Sequence, residues 1–72
     1  MNGGEFLRKL RRLGRRLGIV VEVVEFRGKG SHARVYFGDR YTTIKDRRKE
    51  LSKGLLRGMC RQLGIDPKDL EG

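Results

Sequence analysis

The sequence predicts an α+β domain in the order α-β-β-β-α, with a three-stranded antiparallel sheet and two helices on one of its faces. Apolar residues recur at helical spacing in two segments, one near each end of the chain. Between these segments, β-branched and aromatic residues alternate with polar ones, as in strands that bury one side. Because each helix carries a single apolar stripe and only one sheet face is apolar, both helices should pack on that face.

The first predicted helix covers residues 5–17 and follows a loose leader at residues 1–4. Most of its other positions are basic, and its apolar stripe consists of Phe6, Leu7, Leu10, Leu13 and Leu17. Gly18 is a natural C-cap that ends the helix. A basic amphipathic helix can lie on an anionic membrane, but packing in a core explains a stripe of this size more simply. We therefore expect no membrane partner.

Three strands are predicted at residues 19–26, 33–37 and 40–45. The first is rich in Val and Ile, and its interspersed glutamates indicate one buried side and leave room for a bulge. Between the other two, Gly38-Asp39 is a two-residue turn with glycine first, which fixes their register. Side chains then alternate between the faces. The face toward the helices is predicted to hold Ala33, Val35, Phe37, Thr42 and Ile44.

The opposite face of the sheet is predicted to meet solvent or ligand. With residue 37 opposite residue 40, the register pairs Tyr36 with Tyr41, Arg34 with Thr43, and His32 with Lys45. We therefore expect His32 to be exposed, within reach of Lys45 and Arg34, and turned away from both helices.

The second predicted helix runs from Lys53 to Leu63, with Ser52 as N-cap and Gly64 as stop signal. Gly54 and Gly58 lower its intrinsic stability, so we expect a close contact that requires them. The apolar stripe of this segment consists of Leu51, Leu55, Leu56, Met59, Cys60 and Leu63. Asp66-Pro67 then begins a short helical turn that ends at Leu70. This element order is the architecture of a double-stranded-RNA-binding domain.

Composition favours a nucleic-acid partner. The 72 residues are predicted to form one domain, residues 1–72, whose core is too thin for a deep cavity. A net charge of +9 and a pI of about 10.6 favour a polyanionic partner, and Arg pairs bidentately with phosphate. The single Cys60 cannot form an internal disulfide, which is consistent with a cytoplasmic location.

The sharpest candidate site is the segment of residues 27–32, which ends in the only histidine of the chain. A lone histidine is more often structural than catalytic. Here, however, His32 could act as general base toward an RNA 2'-hydroxyl, while Lys29, Arg34 and Lys45 neutralise the phosphate. The glycine-rich turn could present backbone N–H groups to the same phosphate. The proton donor stays open among Ser31, Tyr36, Tyr41, a lysine and water.

Further cations precede and follow the start of the second helix. Lys53 lies at its N-terminus, where free N–H groups favour an anion, and Arg57 is one turn further along. These two and Arg27 complete the predicted RNA-binding residues, although a solvated charged face is the simpler explanation for any one of them. One His, one Cys and scattered carboxylates supply no metal-ligand cluster, so we expect no metal and no small-molecule cofactor.

Four motifs of the chain resemble the HicA family of toxins. They are Gly28-Lys29-Gly30-Ser31-His32, Thr42-Thr43-Ile44, Lys49-Glu50-Leu51-Ser52-Lys53-Gly54-Leu55-Leu56-Arg57, and Gln62-Leu63-Gly64-Ile65. The resemblance implies a double-stranded-RNA-binding-domain-like fold, ribosome-independent mRNA cleavage and neutralisation by a HicB antitoxin. It also implies that His32 is the catalytic histidine and that Gly30 and Ser31 form its supporting turn. Many members have a second histidine where this chain has Ala33.

Two other functions remain open from the residues alone. A non-catalytic module for double-stranded or structured RNA would use the same basic surface, and an interaction protein would use it to meet an acidic partner. DNA binding is a weaker alternative, because the sequence has no helix-turn-helix signature.

Overall fold

The structure, a computed structural model, describes residues 1–26 and 32–71 and has the predicted order of elements. Its elements are α1 (Gly3–Leu17), β1 (Val21–Glu25), β2 (Ala33–Phe37), β3 (Arg40–Ile44), α2 (Lys53–Leu63) and a closing 3-10 helix (Pro67–Leu70). The sheet is antiparallel throughout, with β2 between β1 and β3. The α+β fold with the order α-β-β-β-α is therefore confirmed.

The first residues of the chain are tied to the fold, so the prediction of a loose leader is wrong. The Asn2 side chain accepts a hydrogen bond from the Glu5 amide at 2.8 Å, and the Asn2 amide donates to the Glu5 carboxylate at 3.1 Å. This capping box starts α1 at Gly3, earlier than predicted. The Leu51 amide also donates to the Met1 carbonyl at 2.8 Å, which joins the chain start to the segment before α2.

The core lies between the two helices and one face of the sheet. The predicted inward residues of β2 and β3 are all buried, and Val35, Phe37 and Ile44 form one core cluster with residues from the helices, among them Phe6, Leu10, Met59, Cys60 and Leu63. Both helices therefore cover the same sheet face. Leu17 does not join them, since 54% of its surface is exposed. The chain reverses after α1, and Ile19 packs against the core instead.

The predicted register of the second hairpin is confirmed. Tyr36 pairs with Tyr41 and Arg34 with Thr43, and Gly38 has the positive φ of 66° that a turn with glycine first requires. β1 is shorter than predicted and pairs with β2 residue for residue, so the described strands contain no bulge. One further bond continues this ladder, from the Phe26 amide to the His32 carbonyl at 3.1 Å.

The second helix has the predicted bounds and caps. The Ser52 side chain accepts from the Leu55 amide at 3.1 Å, and Gly64 ends the helix with a φ of 74°. The close contact expected at Gly54 and Gly58 is absent, because a Cβ at either position would have no neighbour within 4 Å. Both glycines instead line a shallow groove between α2 and β3, where the absence of side chains leaves open space.

The Cys60 thiol is expected to be unreactive in the folded protein. Cys60 is completely buried, and its burial, followed by the nearby charges of Asp66 and Asp69, raises its pKa to about 11. At pH 8 roughly one thiol in a thousand would then be the reactive thiolate, even before access is considered. Labelling of Cys60 with a disulfide reagent should be fast in urea. In the absence of urea, labelling should be no faster than unfolding of the protein. Rapid labelling of the native protein would contradict this prediction.

Candidate active site

Part of the predicted site lies outside the described residues. Arg27 and Lys29, predicted to bind RNA, and Gly30 and Ser31, predicted to support the catalytic turn, belong to residues 27–31. Their proposed roles stay predictions, and the geometry below concerns the remaining site residues.

His32 is half-buried and lines a surface pocket of about 570 Å³. The pocket lies where β3 leaves the sheet, and its other lining residues are Thr43, Ile44, Lys45, Asp46, Lys49, Glu50, Leu51, Leu55 and Met59. Because His32 is half-buried, the prediction that it is exposed is wrong, and the pocket that it lines also includes Leu55 and Met59 of α2. β2 begins at Ala33, so the alternation of a regular strand does not determine the direction of the preceding side chain.

The pocket brings His32 together with lysines and carboxylates. Lys45, which the register predicted opposite His32, lines the same pocket, as does Lys49. The Asp46 carboxylate accepts a hydrogen bond from the Arg48 amide at 2.9 Å, and this bond holds the pKa of Asp46 below its ordinary value. Asp46 is therefore ionised at neutral pH and is a poor proton donor. The Glu50 carboxylate pairs with the amino group of Met1.

Leu55 forms an apolar wall of this pocket. The helical spacing placed it on the apolar stripe of α2, but 53% of its surface is exposed. α2 turns its buried stripe, Met59, Cys60 and Leu63, toward the core, and Leu55 lies at the edge of that stripe. The pocket thus combines an apolar wall with a charged rim.

Arg34 lies on the sheet face that is turned away from the helices. Its guanidinium carbon is 4.6 Å from the ring centre of Tyr41 and 5.5 Å from that of Phe26. Its Nη1 donates to the Tyr36 hydroxyl at 3.4 Å, a contact that raises the pKa of Arg34 and keeps it a cation. Arg34 is therefore held by aromatic rings beside the pocket and is not part of its lining.

The two predicted RNA-binding residues of α2 occupy different places. Lys53 is exposed at the first turn, next to pocket residues Leu51 and Leu55, although it does not line the pocket itself. Arg57 lines a second pocket, of about 490 Å³, together with Arg61. The structure therefore does not bring Arg57 to His32.

Sequence reasoning missed Lys49, Asp46 and Glu50 as pocket residues. They lie in the irregular connection between β3 and α2, where neither strand alternation nor helical spacing applies. The only signal was the high charge of residues 46–49, which indicated a solvated loop equally well.

The described residues contain neither a group of metal ligands nor a membrane-spanning helix. In the part of the chain that the structure describes, no three His, Cys, Asp or Glu residues are grouped as metal ligands. Within the same ranges, neither helix combines the length and the apolar character that crossing a bilayer requires.

Comparison with known proteins identifies the family. Residues 4–65 match the family model described as HicA toxin of bacterial toxin-antitoxin systems. The matched residues include all three strands, α2, and α1 except its first residue. The chain belongs to the HicA toxin family. A HicA toxin functions in a toxin–antitoxin pair, so family membership implies an antitoxin partner. No curated protein and no solved structure gives a significant match. In this HicA toxin the position after His32 is Ala33, which is completely buried and does not line the pocket.

Proposed function

We propose that this HicA toxin is a metal-independent endoribonuclease that cleaves mRNA with His32 as its catalytic histidine. The observation that carries the proposal is the shared pocket of His32, Lys45 and Lys49. An imidazole titrates near neutral pH, and ammonium groups beside it can stabilise the charge of a phosphate in the transition state.

The reaction needs one proton removed and one supplied. His32 takes the proton of the RNA 2'-hydroxyl, and the 2'-oxygen attacks the adjacent phosphorus. The bond from phosphorus to the 5'-oxygen breaks, which leaves a 2',3'-cyclic phosphate and a 5'-hydroxyl end. That leaving oxygen receives a proton from a donor such as Lys45, Lys49 or water. Asp46 is unsuited to this role because it is held in its ionised form.

The phosphate is positioned by cations around the pocket. Lys45 lines the pocket, Lys53 lies at the adjacent helix start and Arg34 lies on the neighbouring sheet face. Lys29 and the supporting turn of Gly30 and Ser31 complete the proposed machinery, as the resemblance to other HicA toxins implies.

The proposed antitoxin is a HicB-like protein. The net charge of +9 favours a partner with an acidic surface, because complementary charge accelerates association and selects the partner. Binding over the His32 pocket would exclude RNA and so neutralise the toxin. An mRNA substrate and an antitoxin partner together favour a cytoplasmic location.

Purified protein is expected to cut mRNA in the presence of EDTA. The proposed steps use side chains alone, so removal of divalent cations should leave the rate unchanged, and the products should carry 2',3'-cyclic phosphate ends. Gel analysis of a labelled transcript, with end-group analysis of the fragments, measures both. Cleavage that requires added metal would overturn the mechanism. Retention of RNA without cleavage would instead favour a non-catalytic module for structured RNA.

A further inference from the structure

The sheet face turned away from the helices carries an unusual cluster. We call it the open-face cluster and define it as Phe26, Arg34, Tyr36 and Tyr41. Arg34 lies in the central strand, and its guanidinium contacts the rings of Tyr41 and Phe26 and the hydroxyl of Tyr36. Both tyrosines of the chain belong to this cluster.

The cluster presents an aromatic ring to solvent. The ring centres of Tyr36 and Tyr41 are 5.6 Å apart with their planes tilted by 48°, and 49% of the Tyr41 surface is exposed. A cross-strand aromatic pair of this kind stabilises a hairpin. Hairpin stability alone, however, does not require a half-exposed ring with an arginine stacked against it.

The positive charge of Arg34 is not neutralised by a carboxylate. Among residues 1–26 and 32–71, the guanidinium contacts two aromatic rings and one phenol hydroxyl, and it forms no ion pair. Its Nε is shielded from solvent and has no hydrogen-bond partner in the same ranges. Within these ranges the guanidinium charge is thus not neutralised by a carboxylate, whereas the shielded Nε is not accessible to a ligand.

We propose that the open-face cluster is a subsite that stacks one unpaired nucleobase of single-stranded RNA on Tyr41 and Arg34, next to the phosphate held at His32. The proposal rests on the proposed ribonuclease function and adds to it a base-binding site. Aromatic rings and guanidinium planes are the usual stacking partners of unpaired bases. Arg34 is the second residue of β2 and His32 directly precedes this strand, so the two positions lie about 7 Å apart along the chain, and neighbouring parts of one RNA strand can reach the open-face cluster and the pocket.

Charge and area favour RNA over a protein at this face. Arg34 is a cation on this face, one exposed carboxylate, Glu22, lies opposite Tyr36, and the chain as a whole is strongly basic. The large apolar side chains exposed on this face are Tyr41 and Val24, an area suited to one base and small for a stable protein contact. An RNA strand can stack a base on the exposed ring and place its phosphates beside the positive charge.

Tyrosine fluorescence provides a specific probe of the cluster. The chain has no tryptophan and its two tyrosines lie in the cluster, so all tyrosine emission reports on this face. We propose titration with a short 2'-O-methyl single-stranded oligonucleotide, which lacks the attacking hydroxyl and cannot be cut, and with an abasic oligonucleotide of equal length and charge. The base-containing strand should quench the emission and bind more tightly, while the abasic strand should bind by charge alone.

Variants test the role of the ring. Tyr41→Ala should weaken binding of the base-containing strand about 5- to 150-fold, the range found for loss of one stacked base, and should leave the abasic strand unaffected. Tyr41→Phe keeps the ring and should bind as the wild type does. Val20→Ala is the matched control, because Val20 is an exposed apolar residue outside the cluster and should change neither affinity. Thermal melts verify that each variant is folded.

The outcomes distinguish the subsite from the proposed function. Equal binding of both strands and no effect of Tyr41→Ala, in a protein that still cuts RNA, would overturn the subsite alone. Absence of both binding and cleavage would overturn the ribonuclease proposal, and the subsite with it. Quenching by a HicB-like antitoxin but by no oligonucleotide would assign the face to protein contact and overturn the subsite.

Discussion

Replacement of His32 by alanine is expected to slow RNA cleavage by about 10²- to 10⁴-fold, the usual contribution of general acid–base catalysis. The substitution removes the only imidazole of the chain, and the other residues that line the pocket are lysines, carboxylates, a threonine and apolar side chains. RNA retention should stay near the wild-type level, because the surrounding lysines and arginines supply the contacts to phosphate. Single-turnover cleavage and filter binding of the same transcript measure the two effects separately.

Controls separate a catalytic role of His32 from a structural one. Its backbone carbonyl extends the β1–β2 ladder, but a backbone bond is retained in the alanine variant, so the fold should survive. Lys68→Ala removes a cation from the second pocket and should leave the cleavage rate unchanged. Undiminished cutting by His32→Ala in a folded protein would refute the assignment of His32 as the base.

Gly14→Ala is expected to lower the free energy of unfolding by about 1–3 kcal/mol, as overpacking does in well-packed interiors. A Cβ at Gly14 would lie 2.7 Å from the Ile19 carbonyl oxygen and 2.8 Å from a Val21 methyl group. The Ile19 amide also donates to the Gly14 carbonyl at 2.8 Å. This bond holds the backbone at Ile19 close to Gly14, so it cannot easily make room for a Cβ. For a protein of this size the total free energy of unfolding is about 4–11 kcal/mol, so the substitution would remove a large part of it.

Gly58→Ala makes the same chemical change inside α2, but it should raise the free energy of unfolding. A Cβ there meets no atom within 4 Å, so only the helix propensity changes, by about 0.5–1 kcal/mol in favour of Ala. Urea unfolding followed by circular dichroism measures both variants against the wild type. A Gly14→Ala protein as stable as the wild type would show that the reversal after α1 is more adaptable than its contacts indicate.

Local chemistry made much of the fold predictable. Ser52 and Gly64 carry standard cap signals, so the bounds of α2 were predicted correctly, and the Gly38-Asp39 turn set the register of the second hairpin. The start of α1 was missed because two glycines follow Asn2 and weaken the helical pattern, although the spacing of Asn2 and Glu5 carries the signal of a capping box.

The candidate site was less predictable because it lies where periodic patterns end. His32 precedes β2 by one residue, so its direction depends on tertiary packing and not on strand alternation. Lys49 reaches the same pocket from an irregular connection, and its place depends on how β3 and α2 are joined. The stacking of Arg34 on Tyr41 is a diagonal contact, which the register permits but does not specify.

The lining of the His32 pocket has a consequence for the order of synthesis. His32 leaves the ribosome first, and every other lining residue, from Thr43 to Met59, follows it in the chain. A nascent chain that ends before α2 therefore has the histidine and the charged rim but lacks the apolar wall that Leu55 and Met59 supply. On the proposed function, the site is complete only once α2 has been synthesised, so the antitoxin is needed from that stage onward.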